Sequence, residues 1–202
     1  MPFIKSKFKN ARGNRRVIFT QYIKNHFGSK RGWMRACLIY AARHLGCYRQ
    51  FNKIDFARVE RLVFICNGNI CRSPLGEAVA RAHGVEAISY GLDTRGGDNA
   101  DPRAIAFGHN NKFLLGQHKT RKIKEYCPSA NDLLVGMEPK HSAQLVALYG
   151  DKVQITLAGL WLTRPRAYLH DPYNTNSVFF NHCEDLVVQA ASSLAQRVKK
   201  QA

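Results

Sequence analysis

The chain has 202 residues and a formal net charge of +17, and 45% of its residues are hydrophobic; that suits one ordinary domain with a segment appended, large enough to build a core without staples. No run reaches the ~18 apolar residues of a membrane span, and residues 37–42, the longest candidate, are too few and too far in for a signal peptide. The six cysteines and eight histidines form neither Cys-x2-Cys pairs nor metal-ligand spacings, which argues against a metal site and a secreted disulfide framework and leaves reduced thiols.

The charge is concentrated at the start. Residues 1–61 carry about 15 Lys/Arg against 2 Asp/Glu, roughly +13, and the remainder only about +4. Within this stretch residues 16–27 place Phe19, Tyr22, Ile23 and Phe27 at helical spacing. Residues 32–51 do the same with Met34, Cys37, Leu38, Ala41, Leu45 and Tyr48, with Arg35 and Arg43 elsewhere on the wheel. We expect a basic extension over residues 1–58, helical or partly disordered, ahead of one domain over residues 59–202. The extension reads as a solvated segment with helices packed on the domain, or as a dock for an anionic membrane face or an acidic partner. Its Arg-rich, acid-poor start also has the composition of a transit peptide. Charge alone permits nucleic acid, but no recognition motif accompanies it, so nucleic acid is not an expected partner.

From residue 61 the rhythm changes. Strand-like runs at 61–66, 86–90, 132–137 and 152–156 alternate with helical patterns at 74–83, from Pro102, briefly at 120–126, at 140–149 and at 177–199. This alternation predicts an α/β fold: a four-stranded parallel sheet with helices on both faces. Ligands of such sheets sit beyond the C-terminal strand ends, where Cys66 closes the first strand.

The string CNGNICRSP, residues 66–74, follows at once. Cys66 and Arg72 stand in the spacing Cys-x5-Arg. Phosphoryl transfer to sulfur needs a thiolate; a free thiol has a pKa near ~8.5, and a helix N-terminus with a nearby arginine can bring it to roughly 3.5–7.5. Ser73 is placed to cap the following helix with Pro74 in its first turn. The loop amides of Asn67, Gly68, Asn69, Ile70 and Cys71 can point at a dianion. Gly68 and Asn69 tolerate left-handed backbone angles. Arg72 offers a planar fork for two phosphoryl oxygens, and the Ser73 hydroxyl can donate to the sulfur. A structural cysteine before an arbitrary turn explains the spacing, but not the strand before it, the helix after it and the full string together.

An acid must also protonate a leaving oxygen. Asp101–Pro102 reads as a helix N-cap with proline at the first helical position, and Asp171–Pro172–Tyr173 reads as an exposed loop. Spacing alone puts Asp171 ahead and leaves Asp101 open.

CNGNICRSPLGEAVAR resembles the signature of the low-molecular-weight protein-tyrosine phosphatases, and the resemblance runs from about Arg61 to the C-terminus. It continues in SYGL (89–92), ADPRAI (100–105), NDLLVGME (131–138) and DPY (171–173). MEPKH (137–141), a Trp-containing stretch and DPY are most similar to the bacterial members linked to capsule and exopolysaccharide export, which act on autophosphorylating tyrosine kinases. The resemblance implies a cofactor-free, metal-free hydrolase with Cys66 as nucleophile, Arg72 as phosphate clamp and Asp171 as acid. It implies a phosphotyrosine protein as partner, with Tyr173 at the pocket mouth, and a bacterial cytoplasmic location, peripheral at the inner membrane face if the extension docks there. It also places Thr94 and Arg95 where many relatives carry an aromatic lip, which predicts a polar, basic rim favouring acidic phosphopeptides. Cys71 is near enough in sequence to form a reversible disulfide with Cys66. Asn67 is more polar than the family's usual residue, and Ile70 stands where phosphoarginine phosphatases carry threonine. Arsenate reductases share this loop but need a cysteine pair after the third strand, where this chain reads MEPKHSAQL. A non-catalytic phosphotyrosine-binding module would lack the nucleophile or the acid, and both are present. His170, beside Asp171, is a loop histidine expected to face solvent.

Overall fold

The computed structural model describes residues 17–201; the basic run before them, and Arg16 where the first helical pattern begins, lie outside the described residues. Strand β1 (Arg61–Cys66) is the axis of the fold, with Leu62, Val63, Phe64 and Ile65 all fully buried. It pairs in parallel with β2 (Glu86–Gly91) on one side and β3 (Asp132–Gly136) on the other, and β3 pairs with β4 (Gln154–Leu157). The order β2-β1-β3-β4 reverses direction at β1, so the crevice past the ends of β1 and β3 is the topological switch point where ligands bind in such sheets.

A continuous apolar strand needs cover on both faces. On one face Leu62, Phe64 and Cys66 join Leu75 and Val79 of α3 (Arg72–Ala82) and Phe180, Val187 and Leu194 of α6 (Ser177–Lys199). The short α4 (Pro102–Asn110) adds Ala104 and Phe107 to this layer. On the other face Val63, Ile65, Leu134 and Ile155 meet Leu145 of α5 (Pro139–Tyr149) and Phe51 from the extension. Gly76 lets α3 lie close against β1, since a Cβ there would stand 2.7 Å from the Phe64 ring.

The extension is two helices, α1 (17–27) and α2 (Lys30–His44), the second capped by Ser29, whose hydroxyl accepts the Gly32 amide. Between them Gly28 takes a left-handed φ of +71 and sits over Phe179 of α6. Ile23 is buried, and Thr156 of β4 donates its hydroxyl to the Phe51 carbonyl at 2.7 Å. The packed face of α2 differs from the expected one. Ala36, Ile39 and Ala42 turn inward, while Met34, Cys37, Leu38, Ala41 and Leu45 are exposed; small alanines let the helix approach, and bulky residues lie on both sides of it. The pattern at 120–126 yields only a 3-10 turn, Ile123–Glu125.

Candidate active site

The loop after β1 turns at Asn69, the residue with the left-handed φ of 56; Gly68 does not take one. Asn69 is fully buried and acts as the hub of the turn. Its Nδ2 donates to Ser73 Oγ at 2.8 Å and Ser89 Oγ at 2.9 Å, and its Oδ1 accepts the Arg121 amide at 2.9 Å. Ser89 in turn donates to Glu77 Oε2 at 2.6 Å, and Arg121 pairs with the same carboxylate at 2.9 Å. The loop is therefore fixed from β2, from α3 and from the 118–121 segment at once. The Asn69 amide donates to Cys66 Sγ at 3.3 Å, and Ser73 Oγ lies 3.0 Å from the same sulfur. With Asn69 donating into Ser73 Oγ, the serine proton is left to point at the sulfur, 3.0 Å away, or at the more distant Tyr90 carbonyl, 3.5 Å away. Helix α3 begins at Arg72 with Cys71 as N-cap. Ser73 thus sits inside the first turn instead of capping it, because its hydroxyl serves the sulfur.

Arg72 is 2% exposed. Its Nη1 donates to Glu138 Oε1 at 2.9 Å and the Leu169 carbonyl at 3.0 Å, and its Nη2 lies 3.1 Å from Asp171 Oδ2. Burial works against its charge, but Asp171, Cys66 and Glu138 more than offset this and hold it above the ordinary arginine range. Glu138, just past the end of β3, approaches from the same sheet edge as Cys66. Behind it His141 is fully buried and 3.7 Å from Glu138 Oε1; burial first, then the positive Arg72 and Lys140, pushes it down to about 3, so it is neutral.

Asp171 is 44% exposed at the side chain and its Oδ1 accepts the Tyr173 amide at 3.2 Å. Its loop is pinned at both ends: Leu169 N–H donates to the Met137 carbonyl at 3.0 Å, and Arg103 of α4 donates to the Thr175 carbonyl at 3.1 Å. Asp101 is elsewhere employed. It caps α4 by accepting the Arg103 amide at 2.8 Å and pairs with the Arg103 side chain at 2.9 Å. Contrary to expectation, His170 is buried, among Phe27 of α1, Tyr168 and Phe179 with ring centroids at 5.8, 4.5 and 5.5 Å. That desolvation pushes it down to about 4. A cavity of about 150 Å³ is lined by Cys66, Asn67, Gly68, Ile70, Cys71, Arg72, Asp171 and Tyr173. The geometry so brings the expected residues together, with Asn69 and Ser73 one layer behind; Thr94 and Arg95 do not line it.

Over residues 61–202 the chain matches the family described as low molecular weight phosphotyrosine protein phosphatase. The chain belongs to that family. The phosphatase Etp of Escherichia coli K12, a low-molecular-weight protein-tyrosine phosphatase, is 30% identical over 142 residues, which are 69% of this chain and 95% of Etp. A low-molecular-weight protein-tyrosine phosphatase of Streptomyces coelicolor is 34% identical over 161 residues, 70% of this chain and 94% of its own. Among solved structures, the tyrosine phosphatase Wzb of Escherichia coli K30 in complex with sulphate superposes with a TM-score of 0.59 at 29% identity, covering 68% of this chain and 97% of that one. The present chain is a protein-tyrosine phosphatase, and its helices α1 and α2 precede the matched region.

Two residues of this phosphatase escaped sequence reasoning. Glu138 was legible only as part of a quoted string, although its place just past a central strand is a signal. Glu184 lies on the apolar stripe of α6 with Phe180, Cys183 and Val187. It is fully buried, and neither carboxyl oxygen has a hydrogen-bond partner among the described residues. Burial pushes it up to about 8, with Arg72 opposing. The cysteines do not form a reductase relay: Cys127 is exposed ahead of β3, at the sheet edge opposite Cys66, and Cys183 is buried in α6.

Proposed function

We propose that this phosphatase hydrolyses phosphotyrosine in proteins through a cysteinyl-phosphate intermediate. The observation that carries this is the meeting of Cys66 Sγ, the Arg72 fork and the Asp171 carboxyl on one small cavity. An incoming phosphoryl dianion competes with Asp171 for Arg72 Nη2 and frees Asp171 Oδ2 to face the leaving oxygen. The sulfur attacks in line: an S–P bond forms, the P–O bond to tyrosine breaks, and Asp171 gives its proton to the phenolate. Arg72 and the loop amides stabilise the equatorial oxygens. Water then attacks phosphorus as Asp171 takes its proton, the S–P bond breaks, and the thiolate returns. Asn67, Gly68, Ile70 and Cys71 supply the cradle, and Tyr173 stacks on the substrate ring.

The substrate is a bacterial tyrosine autokinase controlling polysaccharide synthesis or export, in the cytoplasm. The resemblance of MEPKH and DPY to capsule-associated members supports this reading. The extension brings the enzyme to the inner membrane face. Val17, Ile18, Phe19 and Leu38 are each more than half exposed in a segment carrying most of the chain's positive charge, a pattern suited to an anionic bilayer. No helix among the described residues is long and apolar enough to cross one.

The test is hydrolysis of p-nitrophenyl phosphate and a phosphotyrosine peptide, without metal and with reductant. Cys66→Ser should be inert and Asp171→Ala should lose roughly 10²–10⁴-fold. An Asp171→Ala enzyme with full activity would remove the acid from this scheme. Salt-sensitive sedimentation with anionic vesicles, abolished by Ile18→Glu/Leu38→Glu, tests the membrane contact.

A further inference from the structure

A second concavity, about 550 Å³, lies between α2 of the extension and residues 164–170, the segment that leads into Asp171. This is the size of a small-ligand site. Its lining is largely apolar and aromatic, with Ile39, Tyr40 and Tyr168. The lining also includes three arginines, Arg43, Arg164 and Arg166. None of the three makes an ion pair or a side-chain hydrogen bond with another described residue, a state they share with other surface arginines; here three of them line one cavity. Three unpaired cations on a largely apolar lining suit a ligand with an apolar body and more than one negative charge.

The two cavities share no lining residue, but they flank one segment of chain. His170 lines this cavity and Asp171 lines the phosphate cavity, and the Cα atoms of such neighbours are only ~3.8 Å apart. A polypeptide held by its phosphotyrosine has its next residues within reach, at roughly 3.3 Å of extended chain per residue. A bilayer, by contrast, meets convex surfaces, and the exposed Val17, Ile18, Phe19 and Leu38 do not line this cavity.

We infer that this cavity is a substrate subsite that takes an aromatic side chain flanked by acidic residues, in the same polypeptide as the phosphotyrosine. The inference rests on the phosphotyrosine reading above. Because α2 forms one wall, and α2 precedes the matched region, the subsite makes selectivity a property of the extension. The aromatic ring enters over Tyr40 and Tyr168, and the flanking carboxylates pair with the arginines.

The experiment uses full-length protein and three substrates: p-nitrophenyl phosphate, a phosphotyrosine peptide with Gly/Ser flanks, and a series in which a Glu-Trp-Glu triplet is moved stepwise away from the phosphotyrosine on either side. One register of the series should lower KM about tenfold below the Gly/Ser peptide. Arg43→Gln/Arg164→Gln, and separately Cys37→Trp, which fills the cavity from an exposed position on α2, should each return that KM to the Gly/Ser value. Turnover of p-nitrophenyl phosphate should stay within about twofold. The same series, read as binding to Cys66→Ser by fluorescence anisotropy, reports on the subsite even where turnover is absent, so loss of the phosphatase reading and loss of the subsite are separable. The inference is overturned if no register discriminates, if the preference survives both changes, or if the arginine changes abolish vesicle binding while leaving peptide selectivity intact.

Discussion

Arg72 is held by carboxylates from two directions before any phosphate arrives, and that sets the electrostatics of its neighbours. Glu138, just past β3, keeps the guanidinium in place, while Asp171 is the exposed partner, the one a phosphoryl group would displace in the proposed scheme. Among the described residues, the buried carboxyl without a hydrogen-bond partner is Glu184. Its ordinary pKa of 4.5 is pushed up to about 8 by burial, so the folded protein holds a proton that the unfolded chain releases. Stability from this group is complete below pH ~4.5 and is lost as pH rises toward ~8, at up to ~1.4 kcal/mol per pH unit. His141 and His170 have the opposite sign: pushed down to about 3 and about 4, they cost stability only as pH falls below ~6.5. The range between pH ~6.5 and ~8 therefore isolates the glutamate. Urea midpoints should fall across that range in the wild type and flatten in Glu184→Gln; parallel curves would count against a buried protonated carboxyl. Cys66, Arg72 and Asp171 were legible in the sequence because their chemistry fixes a spacing or a loop. Glu138 and Glu184 were not, since a carboxylate after a strand or within a helix has no pattern until the fold brings Glu138 to Arg72 and buries Glu184.

At the scale of elements, the strands and helices of the matched region were readable because burial on both sheet faces leaves unbroken apolar runs. Strand β1 and helix α6 begin and end where the pattern puts them. The extension was harder. Its helices were legible, but α2 has bulky apolar residues on more than one side, and only packing reveals that the alanine face goes inward. The close approach of this hairpin to α6 depends on Gly28. Its φ of +71 is strained for a residue with a side chain, and an added Cβ would stand 2.9 Å from Phe179. Phe179 is also a wall of the box around His170. Gly28→Val should therefore displace α1 and, through Phe179 and His170, loosen Asp171. We expect a loss of about 1–3 kcal/mol in urea unfolding and a fall in kcat on p-nitrophenyl phosphate larger than any rise in KM. A destabilised variant with unchanged kcat would show that the acid loop is positioned without the extension.

At the scale of the whole molecule, the extension contributes to the core as well as to the charge. Phe51 is buried in the layer beneath Val63, Ile65 and Ile155. The Asp55 amide donates to Gln154 Oε1 at 2.7 Å, and Gln154 Nε2 donates back to the Asp55 carbonyl at 2.9 Å. Wzb of Escherichia coli K30 is covered over 97% of its length by 68% of this chain, so a domain of this fold stands without such a hairpin. Here Phe179 lies against Gly28, Tyr168 against α2 and Ile155 in one cluster with Phe51, apolar groups that solvent would meet if the extension were removed. Deleting residues 1–55 should cost the burial of Phe51, about 2–3 kcal/mol, the Thr156–Phe51 hydrogen bond, about 1 kcal/mol, and the exposed Asp55–Gln154 pair, which adds less. The urea midpoint should drop accordingly, and the truncated chain should self-associate at concentrations where the full chain is monodisperse by light scattering. A midpoint unchanged by the deletion would mean that the extension rests on a domain already complete without it. Its role would then be confined to what it binds, and the stability and selectivity of this phosphatase would have separate origins.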